Sequence, residues 1–347
     1  MLYQNWPAVI TALQGLDWLR LVFSLLELLL VLPMMASISW VCLRSLGANL
    51  PVRQVFSLYF ITQLPKYLPG GVWAFPGRMV AYRLSGLSDA YAILSVFREV
   101  AALFLGAVMV GAIAVLSPTV GGGQGADGIE QWPVASWAGA AKAAQANAWL
   151  VILLVILACL GGILLTHSPA FWQFLKRRFA AAGSGAAPQS DDLTRYRSPH
   201  RSPFLSRRLQ AALFAAGDSK VLTSLTWLPG ALLCSLLFWL AMGIPFAQLA
   251  AALLPGREPL SWLQAASLFA LSWSIGFVVV IAPAGFGVRE SALVLLLAPF
   301  LPPAVAASLA LLSRLWWMAV EALLIGVSIW LIGDPHRWLG QASPKAS

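Results

Sequence analysis

The residues of this 347-residue chain best suited to chemistry are four arginines and four glutamates inside or at the ends of apolar segments. They are Arg20, Arg98, Arg289, Arg314, Glu27, Glu99, Glu290 and Glu321. Two of the arginines directly precede a glutamate, and the other two precede one by seven residues, which is two helical turns and nearly the same helix face. The set allows two interpretations. The pairs hold helices together, or the planar guanidinium groups bind an anionic ligand such as a phosphate.

One segment combines these charges with residues that interrupt a helix. Residues 283–287 are Pro-Ala-Gly-Phe-Gly, and Arg289 and Glu290 follow one residue later. Inside a membrane, freed backbone groups and charges cost several kcal/mol unless they line an enclosed, wet or ligand-filled cavity. Residues 69–71, Pro-Gly-Gly, precede Arg78 in a similar way.

Chemistry that depends on cysteine, histidine or metal ions has little support. The three cysteines lie in apolar spans and the three histidines in separate loops: Cys42, Cys159, Cys234, His167, His200 and His336. This spacing favours neither a disulfide framework, a zinc site nor a nucleophilic triad. The glycine-rich residues 120–125 lack the Lys-Ser/Thr of a phosphate-binding loop. We therefore expect no cofactor and no metal.

The composition shows which elements must position the arginines. Hydrophobic residues make up 60% of the chain, charged residues 10%, and the mean hydropathy is +0.80, whereas a soluble domain is about a quarter charged. Apolar runs of about the 20 residues needed to cross a bilayer recur at Trp18–Leu43, Tyr91–Leu116, Ala148–Thr166, Val221–Leu254, Ser261–Leu297 and Ala304–Ile332. The sequence predicts an all-α polytopic membrane protein with about six to eight membrane helices.

Basic residues cluster in two loops. Five Lys or Arg lie between Arg44 and Asp89, and nine lie in residues 167–220, whereas residues 117–147 carry only Lys142. By the positive-inside rule, the loops 44–89 and 167–220 and the C-terminus are cytoplasmic. The formal net charge of +9 is then mostly a topology signal. We expect no nucleic-acid partner and a location in the bacterial inner (plasma) membrane.

The chain divides into two membrane halves. Residues 1–179 form the first half with a broken segment at 58–83, and 209–333 form the second half with a broken segment at 261–298. Residues 180–208, rich in Ala, Gly, Ser and Pro, have the composition of a disordered cytoplasmic linker, and 334–347 form a cytoplasmic tail. The predicted topology approaches the two broken segments from opposite sides, as in an inverted repeat whose re-entrant or broken hairpins meet near the midplane. The alternative is two simple interfacial turns.

These motifs resemble the flippase-like family named for the lysylphosphatidylglycerol synthase transmembrane region. The resemblance covers roughly residues 15–332. It depends on Leu-Pro-Gly-Gly at 68–71 leading to Arg78, Glu99 in the next span, Pro-Ala-Gly-Phe-Gly-Val-Arg-Glu at 283–290 and Arg314. Fused members of that family are thought to move aminoacylated phosphatidylglycerol between leaflets, and a soluble C-terminal domain makes that lipid.

Two departures from the family pattern shape the expectation. Only a short polar tail follows residue 332, so lipid aminoacylation is not expected and the chain is expected to be no enzyme. Residues 1–16 are too short and broken to supply the extra first span that members often have, so the start is expected to be truncated or divergent. The spacing before Arg78 differs from that before Arg289, which leaves their equivalence open.

The expected function is transbilayer movement of an anionic lipid. Its partner is a phospholipid or polyprenyl-phosphate lipid, with a possible second partner in an envelope-lipid biosynthetic enzyme. The expected phosphate-binding residues are Arg289, Arg314, Arg98, Arg78, Gly70, Gly71, Gly285 and Gly287. The expected charge-balancing or proton-carrying residues are Glu99, Glu290 and Glu321. Two alternatives stay open: a membrane transferase that uses a lipid-phosphate donor, with Glu99 or Glu290 as catalytic carboxylate, and a non-catalytic scaffold for envelope enzymes.

Overall fold

The chain is all-helical throughout the part that the structure describes. A computed structural model describes residues 14–67, 73–116, 225–256, 259–278 and 287–333. The helices are α1 Trp18–Val31, α2 Met34–Ser45, α3 Val52–Ile61, α4 Ala74–Leu84, α5 Asp89–Leu116, α6 Leu228–Ala241, α7 Gly243–Ala252, α8 Trp262–Val278, α9 Val288–Leu297 and α10 Pro303–Ile332, with a 3-10 turn at Leu64–Tyr67. The predicted span at 148–166, the linker 180–208 and the tail 334–347 lie outside these residues.

Four helical stretches in these ranges are long and apolar enough to cross a membrane. They are Trp18–Ser45, Tyr91–Ile113, Leu228–Ala252 and Pro303–Ile332. The first consists of α1 and α2 with Pro33 at their junction, and the third consists of α6 and α7, which meet at Met242. The helices α3, α4 and α9 are much shorter, at 10, 11 and 10 residues, so each spans roughly 15 Å, half of the hydrocarbon core.

The two halves share one core. Its largest hydrophobic cluster takes buried side chains from both halves, including Leu28, Phe60, Phe238 and Phe269. In the first half, α5 packs against α6 and α8, and α3 packs against α10. The division into halves that the sequence predicts is therefore not a division into two separately packed bodies.

Large apolar side chains cover the outer surface of several helices. On α1 they follow one helical stripe that contains Leu19, Phe23, Leu26 and Leu30, and Leu30 is 77% exposed. A water-soluble protein rarely exposes such continuous apolar surface, whereas a lipid-facing helix requires it. The prediction of an all-α polytopic membrane protein is confirmed.

The short helix α3 packs lengthwise against α10, the longest helix. Arg53, at the start of α3, donates from Nη2 to the carbonyl oxygen of Leu331, at the end of α10. Because α3 packs along α10, the two helices run antiparallel, and the end of α3 lies halfway along α10. The 3-10 turn therefore brings Lys66 and Tyr67 to the middle of the longest helix.

Candidate functional site

Six side chains from both halves meet beside the middle of α10. This group, called here the tip cluster, consists of Lys66, Tyr67, Arg289, Glu290, Arg314 and Glu321. Lys66 and Tyr67 end the 3-10 turn just before the Pro-Gly-Gly segment at 69–71. Arg289 and Glu290 lie in the first turn of α9, just after the Pro-Ala-Gly-Phe-Gly segment at 283–287, and the other two belong to α10. Residues beside both of the Pro- and Gly-containing segments therefore meet at α10.

Glu321 binds two side chains of the 3-10 turn. Lys66 forms an ion pair with its Oε1, and the Tyr67 hydroxyl donates to its Oε2. The Glu321 side chain is 3% exposed, whereas that of Lys66 is 23% exposed. The carboxylate is thus fully engaged and enclosed, and the cluster is accessible on the Lys66 side.

Glu290 performs two tasks at the start of α9. Its Oε2 accepts from the backbone nitrogen of Gly287 at 2.8 Å, and its Oε1 accepts from Nη1 of Arg314 at 2.7 Å. A carboxylate in the first turn of a helix satisfies a backbone donor and interacts favourably with the helix dipole. Gly287 has φ +82°, a left-handed conformation that favours glycine, and this fixes the entry into α9.

Arg289 is held by aromatic faces. Its guanidinium carbon lies 4.6 Å from the ring centroid of Phe269 and 5.5 Å from that of Trp317. Its Nη2 is inaccessible and has no hydrogen-bond partner among the described residues. Stacking on rings stabilises the cation but leaves the guanidinium edge able to donate. An uncommitted guanidinium donor inside a membrane protein is costly unless a ligand or water accepts from it.

A glycine on α8 sets the position of Arg289. A Cβ atom added at Gly276 would lie 2.8 Å from Cβ of Arg289 and 3.3 Å from its Cα. Since real Cβ contacts are not that close, α8 and α9 can approach only because residue 276 has no side chain. The pairing of α8 with α9 therefore determines where the guanidinium lies.

The cluster is compact along the axis of α10. Arg314 and Glu321 are seven residues apart on α10, so the contacts from the two segments lie within roughly 10 Å along its axis. Lys66, Arg289 and Arg314 are close enough to act on one another electrostatically. Three cations and the N-terminal end of α9 thus lie near one another, which is an arrangement suited to an anion.

A second polar group is buried between α2, α3, α4 and α5. Arg78 forms an ion pair with Glu99, and Ser39 donates to the other oxygen of that carboxylate. Nε of Arg78 also donates to Thr62 at 3.1 Å, and its guanidinium carbon lies 4.0 Å from the centroid of Tyr59. Arg78 is 2% exposed and Glu99 3%. This buried pair therefore attaches α4 to α5 and to the end of α3.

Arg98 points away from its neighbour Glu99. Its Nη1 donates to Oγ of Ser45 at 3.0 Å, and its guanidinium carbon lies 5.5 Å from the centroid of Trp227. Adjacent residues differ by about 100° around a helix; both Arg98 and Glu99 contact α2, but Arg98 also faces Trp227, whereas Glu99 pairs with Arg78. Arg98 belongs to neither the tip cluster nor the contacts of Arg78.

The structure thus divides the arginines and glutamates selected from the sequence. It brings Arg289, Arg314, Glu290 and Glu321 together, and it joins Arg78 to Glu99 elsewhere. Gly287 lies at the edge of the tip cluster, whereas Gly70, Gly71 and Gly285 lie outside the described residues, so the prediction about them stays a prediction.

In the ion pairs that the structure gives, the arginine and glutamate that are seven residues apart, Arg20 with Glu27 and Arg314 with Glu321, are not each other's partners. Arg314 pairs with Glu290 and Glu321 with Lys66, while Arg20 lies 3.6 Å from Asp17. Each carboxylate of the tip cluster is thus balanced by a cation from another segment rather than from its own helix.

Sequence reasoning missed Lys66 and Tyr67. The sequence places Lys66 and Arg78 in a basic loop, whereas Arg78 is buried and Lys66 is a partly buried partner of Glu321. The signal lay in their position, because Lys66 directly precedes a breaker at the end of an apolar approach. The orientation argument for this loop therefore depends on Arg44, Arg53 and Arg83.

Residues 1–324 match the model of a family described as the lysylphosphatidylglycerol synthase TM region. No curated protein matches the chain significantly.

Proposed function

Since the chain belongs to the family of the lysylphosphatidylglycerol synthase TM region, we propose that it binds the phosphate of an anionic lipid headgroup at the tip cluster and moves that lipid between the leaflets. The observation that carries this proposal is Arg289. Its buried Nη2 donor is uncommitted among the described residues, and Lys66 and Arg314 lie nearby.

The bound phosphate would complete contacts that the protein leaves open. One oxygen would accept from Nη2 of Arg289, and a second would lie beside Lys66 on the accessible side of the cluster. The N-terminal end of α9 would add its positive dipole. Phe269 and Trp317 already hold the plane of the guanidinium, so only the neighbours that cover Nη2 would have to shift to admit a phosphate oxygen. Such preorganisation lowers the entropy cost of binding.

The glutamates would hold the cations when the site is empty. Glu290 balances Arg314, and Glu321 balances Lys66. Neither carboxylate would have to leave the cluster when a phosphate enters, because Arg289 is the cation of the tip cluster that has no ion pair among the described residues. Acyl chains would stay in the lipid along the exposed apolar helices while the headgroup crosses the polar region. Such movement requires no covalent chemistry, and on this proposal the chain is not an enzyme.

We propose further that α3–α4 and α8–α9 are two re-entrant hairpins related as an inverted repeat. Support comes from their lengths, which are half of a membrane crossing for α3, α4 and α9, and from the meeting of residues beside both breakers at α10. A site at the midplane between two such hairpins is accessible in turn from either side when they move.

The orientation and location are also proposals. The basic loops 44–89 and 167–220 and the C-terminus would face the cytoplasm of a bacterium, with the chain in its inner membrane. Arg53 and the end of α10 lie together, which agrees with placing both on the same side.

Reconstitution into liposomes tests the function. Purified wild-type protein should accelerate exchange of labelled anionic phospholipids, measured as the fraction that a membrane-impermeant quencher reaches. Arg289→Ala should lose most of this activity. Arg83→Ala is the matched control, because Arg83 is a partly exposed arginine paired with Asp89 outside the cluster. Equal activity of wild type and Arg289→Ala would contradict the proposal.

The same experiment separates the alternatives. A new covalent lipid product from a lipid-phosphate donor would indicate a transferase instead. Neither exchange nor product, in a folded protein, would favour a scaffold that brings envelope-lipid enzymes together.

A further inference from the structure

We infer that the ligand of the tip cluster is a lipid whose headgroup carries one net negative charge, located on a phosphodiester. The inference rests on the proposed function and narrows it to one charge class. It depends on counting the charges that the structure brings together and on identifying which of them are already balanced.

The cluster has a surplus of one positive charge. It contains three cations, Lys66, Arg289 and Arg314, and two carboxylates, Glu290 and Glu321. Each carboxylate has both oxygens engaged and already has one cationic partner. The remaining charge belongs to Arg289, whose buried Nη2 has no acceptor among the described residues.

The neighbouring segments do not change this count. Residues 68–72 and 279–286, which connect directly to the cluster, contain no Asp, Glu, Lys, Arg or His. The buried ion pair of Arg78 with Glu99 is internally balanced. A headgroup entering the cluster therefore meets one surplus positive charge in a region where water screens charges weakly.

This surplus discriminates between headgroups by charge. A phosphodiester with an uncharged alcohol brings one negative charge and leaves the cluster neutral. A phosphomonoester carries close to two negative charges at pH 8 and leaves one unbalanced. A zwitterionic or aminoacylated headgroup adds ammonium groups beside a cluster that is already cationic. Unbalanced charge in an enclosed site is strongly disfavoured, so the singly charged phosphodiester binds best.

Competition binding to the whole detergent-solubilised chain tests the inference directly. Native mass spectrometry would be run at pH 8 with equal amounts of four dioleoyl lipids: phosphatidylglycerol, phosphatidate, phosphatidylethanolamine and lysyl-phosphatidylglycerol. We expect at least about a tenfold preference for phosphatidylglycerol over each of the others, since close charge pairs in binding sites couple by this much or more. Equal binding of all four lipids, or a preference for phosphatidate, would overturn the inference.

Charge-changing variants provide the sharper test. Glu321→Gln preserves an acceptor for Tyr67 but raises the surplus to two, and the preference should shift toward phosphatidate by about tenfold. Arg289→Gln removes the surplus, and the preference for phosphatidylglycerol over the net-neutral phosphatidylethanolamine should disappear. Asp89→Asn is the matched control for Glu321→Gln, because it changes the net charge equally at the partly exposed Arg83 pair outside the cluster. A Glu321→Gln preference that equals that of wild type would refute the charge count.

The outcome distinguishes this inference from the proposed function. If wild type shows the charge preference in binding but does not accelerate exchange in liposomes, the ligand is identified and the transport proposal fails. If it accelerates exchange of all four lipids equally and binds them equally, transport stands and the charge selectivity is wrong.

Discussion

Replacing Glu99 with glutamine should destabilise the protein strongly, because it leaves Arg78 buried without a counter-ion. The two residues are 2% and 3% exposed, so water cannot replace the lost partner. Removing one member of a buried ion pair costs about 3–5 kcal/mol in the free energy of unfolding. Two contacts of Arg78 survive: the 3.1 Å hydrogen bond to Thr62 and the 4.0 Å contact with the Tyr59 ring.

These surviving contacts set the magnitude. A desolvated cation above an aromatic ring is stabilised by about 2 kcal/mol, and the new amide still presents an oxygen to Arg78. We therefore expect the low end of the range, about 3 kcal/mol. For a chain of 347 residues, the thermal midpoint should fall by roughly 4 °C. Intrinsic tryptophan fluorescence during heating in detergent measures this midpoint.

An uncharged replacement of both partners separates loss of the pair from loss of packing. The double variant Arg78→Met with Glu99→Leu should recover at least half of the stability, since apolar residues of similar volume often replace a buried ion pair at little cost. Asp89→Asn, which breaks the more exposed pair with Arg83, should cost less than about 1 kcal/mol. A Glu99→Gln midpoint within 2 °C of wild type, taken as roughly the effect of a surface pair, would refute the reasoning.

Two further substitutions test the tip cluster. Gly276→Ala should force α9 away from α8, which should cost about 1–3 kcal/mol of stability and most of the lipid exchange. Gly326→Ala is the control, because a Cβ atom there meets open space on α10, and it should leave exchange unchanged. Equal exchange by both variants would show that the position of Arg289 does not matter. Tyr67→Phe should cost about 1–2 kcal/mol because Glu321 loses one donor; a thermal midpoint equal to that of wild type would contradict the hydroxyl–carboxylate contact.

The sequence revealed the fold class and the important residue types, because both depend on local composition. Apolar runs and breakers predicted the membrane helices, and intramembrane Arg and Glu were conspicuous for their cost. The run Val221–Leu254 contains α6 and α7, which meet at Met242, and the run Ser261–Leu297 separates into α8 and α9. Composition alone could not determine this, because an apolar run has the same composition whether it crosses once or turns back.

The partners of the charged residues could not be predicted, because they depend on which helices meet. Arg314 and Glu321 share a helix face, yet their ion-pair partners are Glu290 and Lys66, which come from other segments. Arg78 resembled a loop residue by its spacing, but the packing of α4 on α5 buries it against Glu99. Helical periodicity predicts which face of a helix a side chain lies on, but it does not predict which residue of another helix will contact that side chain.

The ion pair between Lys66 and Glu321 has a kinetic consequence. Glu321 is attached to the protein beside Lys66 at high local concentration, so a phosphate that approaches Lys66 would compete with it for the ammonium donors, even though Glu321 stays within the cluster. The apparent affinity falls by the fraction of time that Lys66 is held. For a carrier this is an advantage, since a headgroup bound too tightly would enter the membrane and not leave it. Strengthening the phosphate site by removing that competitor should therefore lengthen residence and slow turnover.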